Sequence, residues 1–264
     1  MKYQPKKEPV DMKKKLLLAG MIIFSMLAGG LTQANAASDT PSSVKRAKFE
    51  KTGHVFWDIP VDEKLVALTF DDGPDPKYTA QILDALAKYN AKATFFVIGE
   101  EAERYPELVK RQAREGHEVA NHTYRHHFRD GHSPTVLKRE LDKSDKVIRD
   151  LIGYSPSLFR PIAGYYDKEI VDTAVASGYN VILWSWHQET RDWSRPGANR
   201  IVENVISDTR PGDVIIFHDA GGDRTQTVKA LERILELLYK NGYKCTTVSD
   251  LLYRSNSFLP ASLR

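Results

Sequence analysis

Seven short apolar runs punctuate the chain: LVALTF (65–70), KATFFVI (92–98), HEVAN (117–121), SLFRP (157–161), NVILWSW (180–186), DVIIFH (213–218) and KCTTVS (244–249). Most are continuous rather than alternating, which predicts strands covered on both faces, as in a parallel sheet. The stretches between them carry helical spacing and helix punctuation. Ser133-Pro134 reads as an N-cap followed by a first-turn proline, Val136, Leu137, Leu141, Ile148, Leu151 and Ile152 as the apolar face, and Gly153 as the stop. Gly116, Gly178 and Gly242 play the same part after other helices, and Val228, Leu231, Ile234, Leu235 and Leu238 share one face of the last long one. Strand and helix alternating about seven times predict an α/β fold, either an open doubly wound sheet or a barrel. No GxGxxG or P-loop follows an early strand, and the reading favours a single α/β barrel of seven to eight strands.

The N-terminus departs from this pattern. Lys13, Lys14 and Lys15 precede the apolar run LLLAGMIIFSMLAGGL, and Ala34-Asn35-Ala36 offers a small-residue cleavage site. This order predicts a signal peptide over residues 1–36 and an exported, secreted or wall-associated protein. The alternative is an uncleaved anchor at the outer face of the membrane, but the run is shorter than the ~20 residues a span requires. Met12 is an alternative start. Residues 37–50, small, polar and lysine-rich, read as a linker, and residues 51–264 as one domain.

The leader also changes the charge argument. The whole chain is +3, but residues 1–36 hold six lysines and two acids, a net of +4, so the remainder is about −1. The basic balance belongs to the leader, and nothing points to a nucleic-acid partner. No obligate protein partner is inferred either. Cys245 is the only cysteine, which excludes an intrachain disulfide and leaves stability to the core or a metal; in YKCTTVS it reads as a small core residue.

In folds of this kind chemistry collects at the C-terminal ends of the strands. Those ends carry Asp71 and Asp72, then His122 with His126 four residues on, then Arg160, then His218; the loop after the fifth run holds Glu189, Asp192 and Trp193. Two imidazoles and one carboxylate make a three-ligand metal site, with Asp72 the natural carboxylate. His126 is preferred to its neighbour His127 because a four-residue spacing brings two side chains to one side of a turn. A cation there relieves the repulsion between adjacent acids and leaves Asp71 as a general base toward water. Arg160 is placed to keep Asp71 ionised, His218 to protonate a leaving group, and Asp192 to orient that imidazole. The plainer alternatives are a simple DDGP turn, an ordinary loop at RPIAG, and tryptophans that serve the core alone, which is the expectation for Trp184. His187 reads equally as a loop histidine, and His54, His117 and His132 as structural or surface residues.

Taken together, TFDDGP, HTYRH, RPIAG, RDW and IFH resemble, in order, the five motifs of the NodB-homology polysaccharide deacetylases, carbohydrate esterase family 4, over residues 55 to 253. The resemblance implies a distorted (β/α) barrel and metal-assisted hydrolysis of an N-acetyl group. It implies Asp71 as base, Asp72, His122 and His126 as metal ligands, Arg160 as partner of the base, Asp192 as partner of the catalytic histidine and His218 as general acid. It also implies Ala163 as a backbone oxyanion donor, Trp193 as a pocket wall and Ile216 as pocket lining. Zinc is the default divalent ion, and the ligand set also admits Co2+, Ni2+ or Fe2+. Two departures stand out: Ile162 and Ala163 replace a proline and a tyrosine common in the third motif, and Glu189 replaces an aspartate in a lengthened fourth.

Export, lysine-rich flanks and a rim of tryptophan point to a cell-wall polysaccharide, with peptidoglycan N-acetylglucosamine or N-acetylmuramic acid as the expected substrate. The alternatives are chitin or chitooligosaccharides, O-acetyl xylan, and a glycan-binding protein without turnover.

Overall fold

The alternation of runs and helices becomes one curved sheet with helices outside it. In this computed structural model residues 41–127 and 133–255 are described. The proposed signal peptide, residues 1–36, and His132 lie outside the described residues. Among those described, the strands are β1 (Val55–Phe56), β2 (Leu65–Asp71), β3 (Thr94–Val97), β4 (Glu118–Asn121), β5 (Leu158–Phe159), β6 (Asn180–Ile182), β7 (Val214–His218) and β8 (Lys244–Thr246). The helices are α1 (Pro41–Glu50), α2 (Tyr78–Lys88), α3 (Gly99–Arg104), α4 (Pro106–Arg114), α5 (Pro134–Ile152), α6 (Lys168–Ala176), α7 (Ala198–Ile206), α8 (Thr225–Lys240) and α9 (Val248–Arg254).

The strand order is β1-β6-β5-β4-β3-β2-β7, with β8 pairing the first residues of β2. Every strand pairing is parallel. Between the β1 and β7 ends there is only an isolated antiparallel bridge, Asp58 to Asp213, so the barrel is half closed. The barrel expected from the pattern, distorted as the resemblance implies, is therefore the fold.

The continuous apolar run of β2 has a direct cause. All seven of its residues are buried. Val66, Leu68 and Phe70 face the outer layer, where Phe70 stacks between Phe95 and Phe217 at 5.1 and 5.5 Å. Leu65 and Ala67 face inward, toward Phe96, Ala120, Leu158 and Ile182. Thr69 and Asp71 share that inward parity, so one strand carries core at one end and chemistry at the other. Val248, Leu251 and Leu252 of α9 join the inward cluster with Leu65 and fill the barrel at the N-terminal ends of the strands. Each such side chain contributes about 1.5–3 kcal/mol. The opposite end stays open.

Three expectations change. The linker expected over 37–50 is described only from residue 41, and there Pro41–Glu50 is helical, Phe49 is buried, and Arg46 pairs with Asp58 at 2.6 Å while lying over the Trp57 ring. Polar composition hid a segment anchored by one aromatic and one guanidinium. The compact unit accordingly begins at Arg46. The runs at 157–161 and 180–186 are strands only over Leu158–Phe159 and Asn180–Ile182, because the residues beyond turn into the site. Ser133 occupies the N-cap position of α5 without a side-chain capping bond, while Gly153 stops the helix in a left-handed conformation (φ 87°) as expected.

No helix among the described residues is long and apolar enough to cross a membrane. Cys245 sits in β8, where burial pushes its thiol up to about 12, an unreactive position.

Candidate active site

Two short turns present the three metal-ligand candidates. Asp72 follows the last residue of β2, and His122 the last residue of β4. The turn after β4 is built by its own side chains: Thr123 N–H donates to Asn121 Oδ1 (2.9 Å) and His126 N–H to Thr123 Oγ1 (3.1 Å). Asn121 is fixed in turn, donating to the Leu141 carbonyl (3.1 Å) and the Tyr179 hydroxyl (2.9 Å). Asp72, Thr123 and His126 all take left-handed backbone, at φ 76°, 70° and 55°. For non-glycine residues this costs on the order of 1–3 kcal/mol each, and such strain collects where geometry serves a site.

The result is a cluster of Asp72, His122 and His126 whose donor atoms lie within 4.8 Å of one another. His122 Nε2 and His126 Nε2 are 3.6 and 3.4 Å from Asp72 Oδ1. His122 Nδ1 is 2.7 Å from the Arg160 carbonyl, to which it donates, leaving Nε2 for the cluster. Burial and the like charge of His122 bring His126 down to about 4, a neutral imidazole at pH 7. Burial opposes the Asp72 carboxylate, but the His122 hydrogen bond and the surrounding imidazoles outweigh it and hold Asp72 well below the usual range. Burial likewise opposes a charged His122, and Asp71 and Asp72 together raise it above its usual value. An ionised carboxylate, a neutral imidazole and a second imidazole whose proton is exchangeable fit a divalent cation.

Asp71 lies beside the cluster, its Oδ2 3.9 Å from His122 Nε2. Its other oxygen accepts from Arg160 Nη1 at 2.7 Å. Arg160 has no solvent exposure, and every direction of its fork is used: Nη1 also donates to Thr69 Oγ1 (2.8 Å), Nε to the Ile182 carbonyl (3.1 Å) and Nη2 to the Leu183 carbonyl (2.8 Å). The Phe96 ring lies 4.1 Å from its Cζ. The base candidate therefore carries a fixed counter-charge on one oxygen and keeps the other free toward the cleft.

His218 ends β7. Its Nδ1 donates to Asp192 Oδ1 at 2.7 Å, and its backbone N–H donates to Oδ2 at 2.9 Å. Thr227 Oγ1 donates to the same Oδ2 at 2.9 Å. Burial alone would lower the imidazole, but Asp192, then Asp71 and Asp72, hold its pKa above the usual value. The shift favours the imidazolium, whose Nε2–H would serve as a proton donor toward the cleft.

Between these groups lies a cleft of about 310 Å³. Asp71, Asp72, His122, His126, Ala163, Trp193, Ile216 and His218 all line it; Arg160 and Asp192 sit behind, holding Asp71 and His218. The ten predicted residues thus meet in one place. Ala163 is exposed on the wall with φ 52°. Trp184 corrects an expectation: it packs on the core and also lines the cleft, its ring so close to Gly164 that a Cβ there would lie 2.5 Å from it. His187 is outside the cleft lining and pairs with Asp213 at 3.0 Å.

Sequence reasoning missed Asp219. It is buried directly behind the DDGP turn, where Oδ2 accepts from Thr79 Oγ1 at 2.5 Å and Oδ1 has no partner. A Cβ on Gly73 would lie 2.2 Å from that carboxyl, so glycine is required by close approach. Burial, with the nearby charges of Asp72 and Asp71, raises Asp219 to about 7. The only signal in the sequence was a third acid one residue beyond a strand end.

The polysaccharide deacetylase family profile matches residues 58–182. A Bacillus cereus protein named peptidoglycan-N-acetylglucosamine deacetylase is 46% identical over 207 residues, covering 78% of this chain and 97% of that one. The chain belongs to the polysaccharide deacetylase family. A chitooligosaccharide deacetylase of Sinorhizobium fredii is 38% identical over 189 residues, covering 67% of this chain and 87% of that one. A solved peptidoglycan N-acetylglucosamine deacetylase, in complex with an N-oxidanyl-benzamide, superimposes with a TM-score of 0.74 at 33% identity, covering 78% of this chain and 95% of that one. Members of the family are hydrolases, and the chain carries the fold together with a metal-type donor cluster at its open end.

Proposed function

We propose that this chain hydrolyses the N-acetyl group of amino sugars in peptidoglycan, N-acetylglucosamine or N-acetylmuramic acid, with zinc as its ion. The supporting observation is one arrangement: a buried carboxylate fixed by Arg160, a three-ligand cluster beside it, and a carboxylate-held imidazole lining the same cleft. The identities of the relatives favour peptidoglycan, since the one matched over nearly its whole length at 46% bears that substrate in its name.

A divalent ion on Asp72, His122 and His126 would polarise the acetamide carbonyl and acidify water next to it. The free Oδ2 of Asp71 takes the proton from water as its oxygen attacks the carbonyl carbon. Arg160 holds the other oxygen of Asp71 at 2.7 Å and keeps the carboxylate aimed throughout this step. The backbone N–H of Ala163 is the proposed donor to the oxyanion of the tetrahedral intermediate. When the C–N bond breaks, His218 passes its Nε2 proton to the leaving nitrogen, and Asp192 stabilises the imidazolium before transfer. Acetate and a free amino sugar result. Trp184 and Trp193 offer ring faces on which pyranose rings pack.

The basic and apolar leader supports export, with action outside the cell membrane; fractionation of cells making the full chain tests this. The substrate is tested by acetate release from purified peptidoglycan and from chitooligosaccharides in parallel. Faster release from peptidoglycan is expected. Release from chitooligosaccharides alone would overturn the substrate and keep the chemistry.

A further inference from the structure

The fourth motif presents a residue that the chemistry above leaves unused. Arg191 lies between Thr190 and Asp192, and both neighbours are buried and pinned. Thr190 Oγ1 donates to the Ile216 carbonyl at 2.7 Å, and its own carbonyl accepts from Asn204 Nδ2 at 3.2 Å. Asp192 is held by His218 and Thr227. One residue earlier, Glu189 bridges to Ile216 on β7. The Cα of Arg191 is therefore fixed to the sheet that carries the acid.

At this fixed point the backbone is left-handed, with φ 54° and ψ 25°. Glycine or asparagine would adopt it more readily than arginine. Among the described residues the side chain gains no partner in return. Arg149, Arg200 and Arg233 each hold a carboxylate of their own helix, but Arg191 has no ion pair and no side-chain hydrogen bond among the described residues. Glu189 shares the cleft wall without pairing to it. Arg191 is exposed and, among the described residues, is the only lysine or arginine lining the cleft. A strained, pinned and unpartnered guanidinium in the wall of a reaction cleft is the mark of a group kept for a ligand.

Guanidinium matches a carboxylate with two parallel hydrogen bonds. We propose that Arg191 binds a carboxylate carried by the glycan next to the reacting acetamide, so that the cleft selects acidic glycans over neutral ones. This rests on the peptidoglycan reading above and deepens it. Peptidoglycan offers that carboxylate from two sources: the lactyl ether of muramic acid where no peptide is attached, and the stem peptide where one is. Chitooligosaccharides offer none.

The test compares wild type, Arg191→Gln, Arg191→Lys and Arg191→Gly, all zinc-loaded. The substrates are peptide-free glycan strands with free lactyl carboxylates, the same strands with those carboxylates converted to amides, and peptide-bearing strands with free or amidated stem carboxylates. The expected result is that the ratio of kcat/KM for free-acid over amidated strands falls about tenfold in Arg191→Gln, with KM carrying the change, as for loss of one charge-assisted contact. The peptide-free pair moves if the lactyl group is the partner, and the peptide-bearing pair if the stem is. Arg191→Lys recovers part of the ratio, because it keeps the charge and loses the fork. Arg191→Gly relieves the backbone, so a lost ratio there reflects the side chain and not the fold. A ratio within twofold of wild type on both pairs overturns the proposal. Should wild type release no acetate from any strand, the deacetylase reading fails instead. Calorimetric binding of free-acid and amidated strands then decides Arg191, with equal affinities overturning it.

Discussion

Asn in place of Asp192 preserves the shape of the side chain and removes its charge. In the native site Oδ1 accepts from His218 Nδ1, while Oδ2 accepts from the His218 backbone N–H and the Thr227 hydroxyl. An amide offers one acceptor and one donor group. The backbone N–H cannot turn away, whereas the Thr227 hydroxyl can rotate and accept. The amide oxygen therefore goes to the backbone side and its NH2 faces Nδ1. The neutral imidazole then holds its proton on Nε2, and its cationic form meets a donor where it had a carboxylate. A hydrogen bond to a charged group contributes about 1.5–3 kcal/mol. At 1.36 kcal/mol per pKa unit, its loss lowers His218 by about 1–2 units. The sign follows from the role. As the proposed acid, His218 must be protonated, so the alkaline limb of kcat reports its pKa, which Asp192 raises above its usual value against the effect of burial. In Asp192→Asn that limb moves to lower pH. Above both limbs the rate falls about 10–100-fold, and below both it falls much less. The assay is acetate release against pH, with bound metal quantified at each point. An alkaline limb that stays in place would refute the assignment of His218 as the proton donor under Asp192.

Other outcomes follow from the same geometry. Arg160→Gln leaves Asp71 buried without its counter-charge and strips donors from the Ile182 and Leu183 carbonyls, so urea unfolding should show a loss of about 3–5 kcal/mol; a loss under about 1 kcal/mol would contradict the buried pair. Asp219, raised from 3.8 to about 7, binds a proton more tightly when folded, so its contribution is full at low pH and lost as pH rises through about 7. In metal-free protein Asp219→Asn should abolish that fall, worth up to about 4 kcal/mol, in unfolding measured from pH 4 to 8. Chelation should stop acetate release and one equivalent of zinc restore it, while His126→Ala should bind zinc at least about 100-fold more weakly by competitive titration.

What the sequence made legible was whatever local pattern dictates. Seven apolar runs located seven of the strands, and the acids and imidazoles just beyond them converge because parallel strands end on one side. What it concealed depends on contacts made across the fold. Residues 41–50 look like a linker until Phe49 and Arg46 find the core and Asp58. Trp184 is both core and cleft wall, a division set by the turn at Gly164 rather than by its own run. Asp219 matters because its carboxyl meets Gly73, 146 positions earlier in the chain. The left-handed positions at Asp72, His126, Ala163 and Arg191 carry no compositional mark, since a non-glycine residue in that conformation is imposed by its surroundings.

The central claim is that Asp71 is the base of a metal-dependent deacetylation. Its most direct test is acetate release from peptidoglycan strands by zinc-loaded wild type and Asp71→Asn, with zinc stoichiometry measured in the same samples. The account predicts release by wild type and a fall of about 10²–10⁴ in Asp71→Asn with one zinc per chain retained in both. Undiminished release by Asp71→Asn with its zinc in place would contradict it.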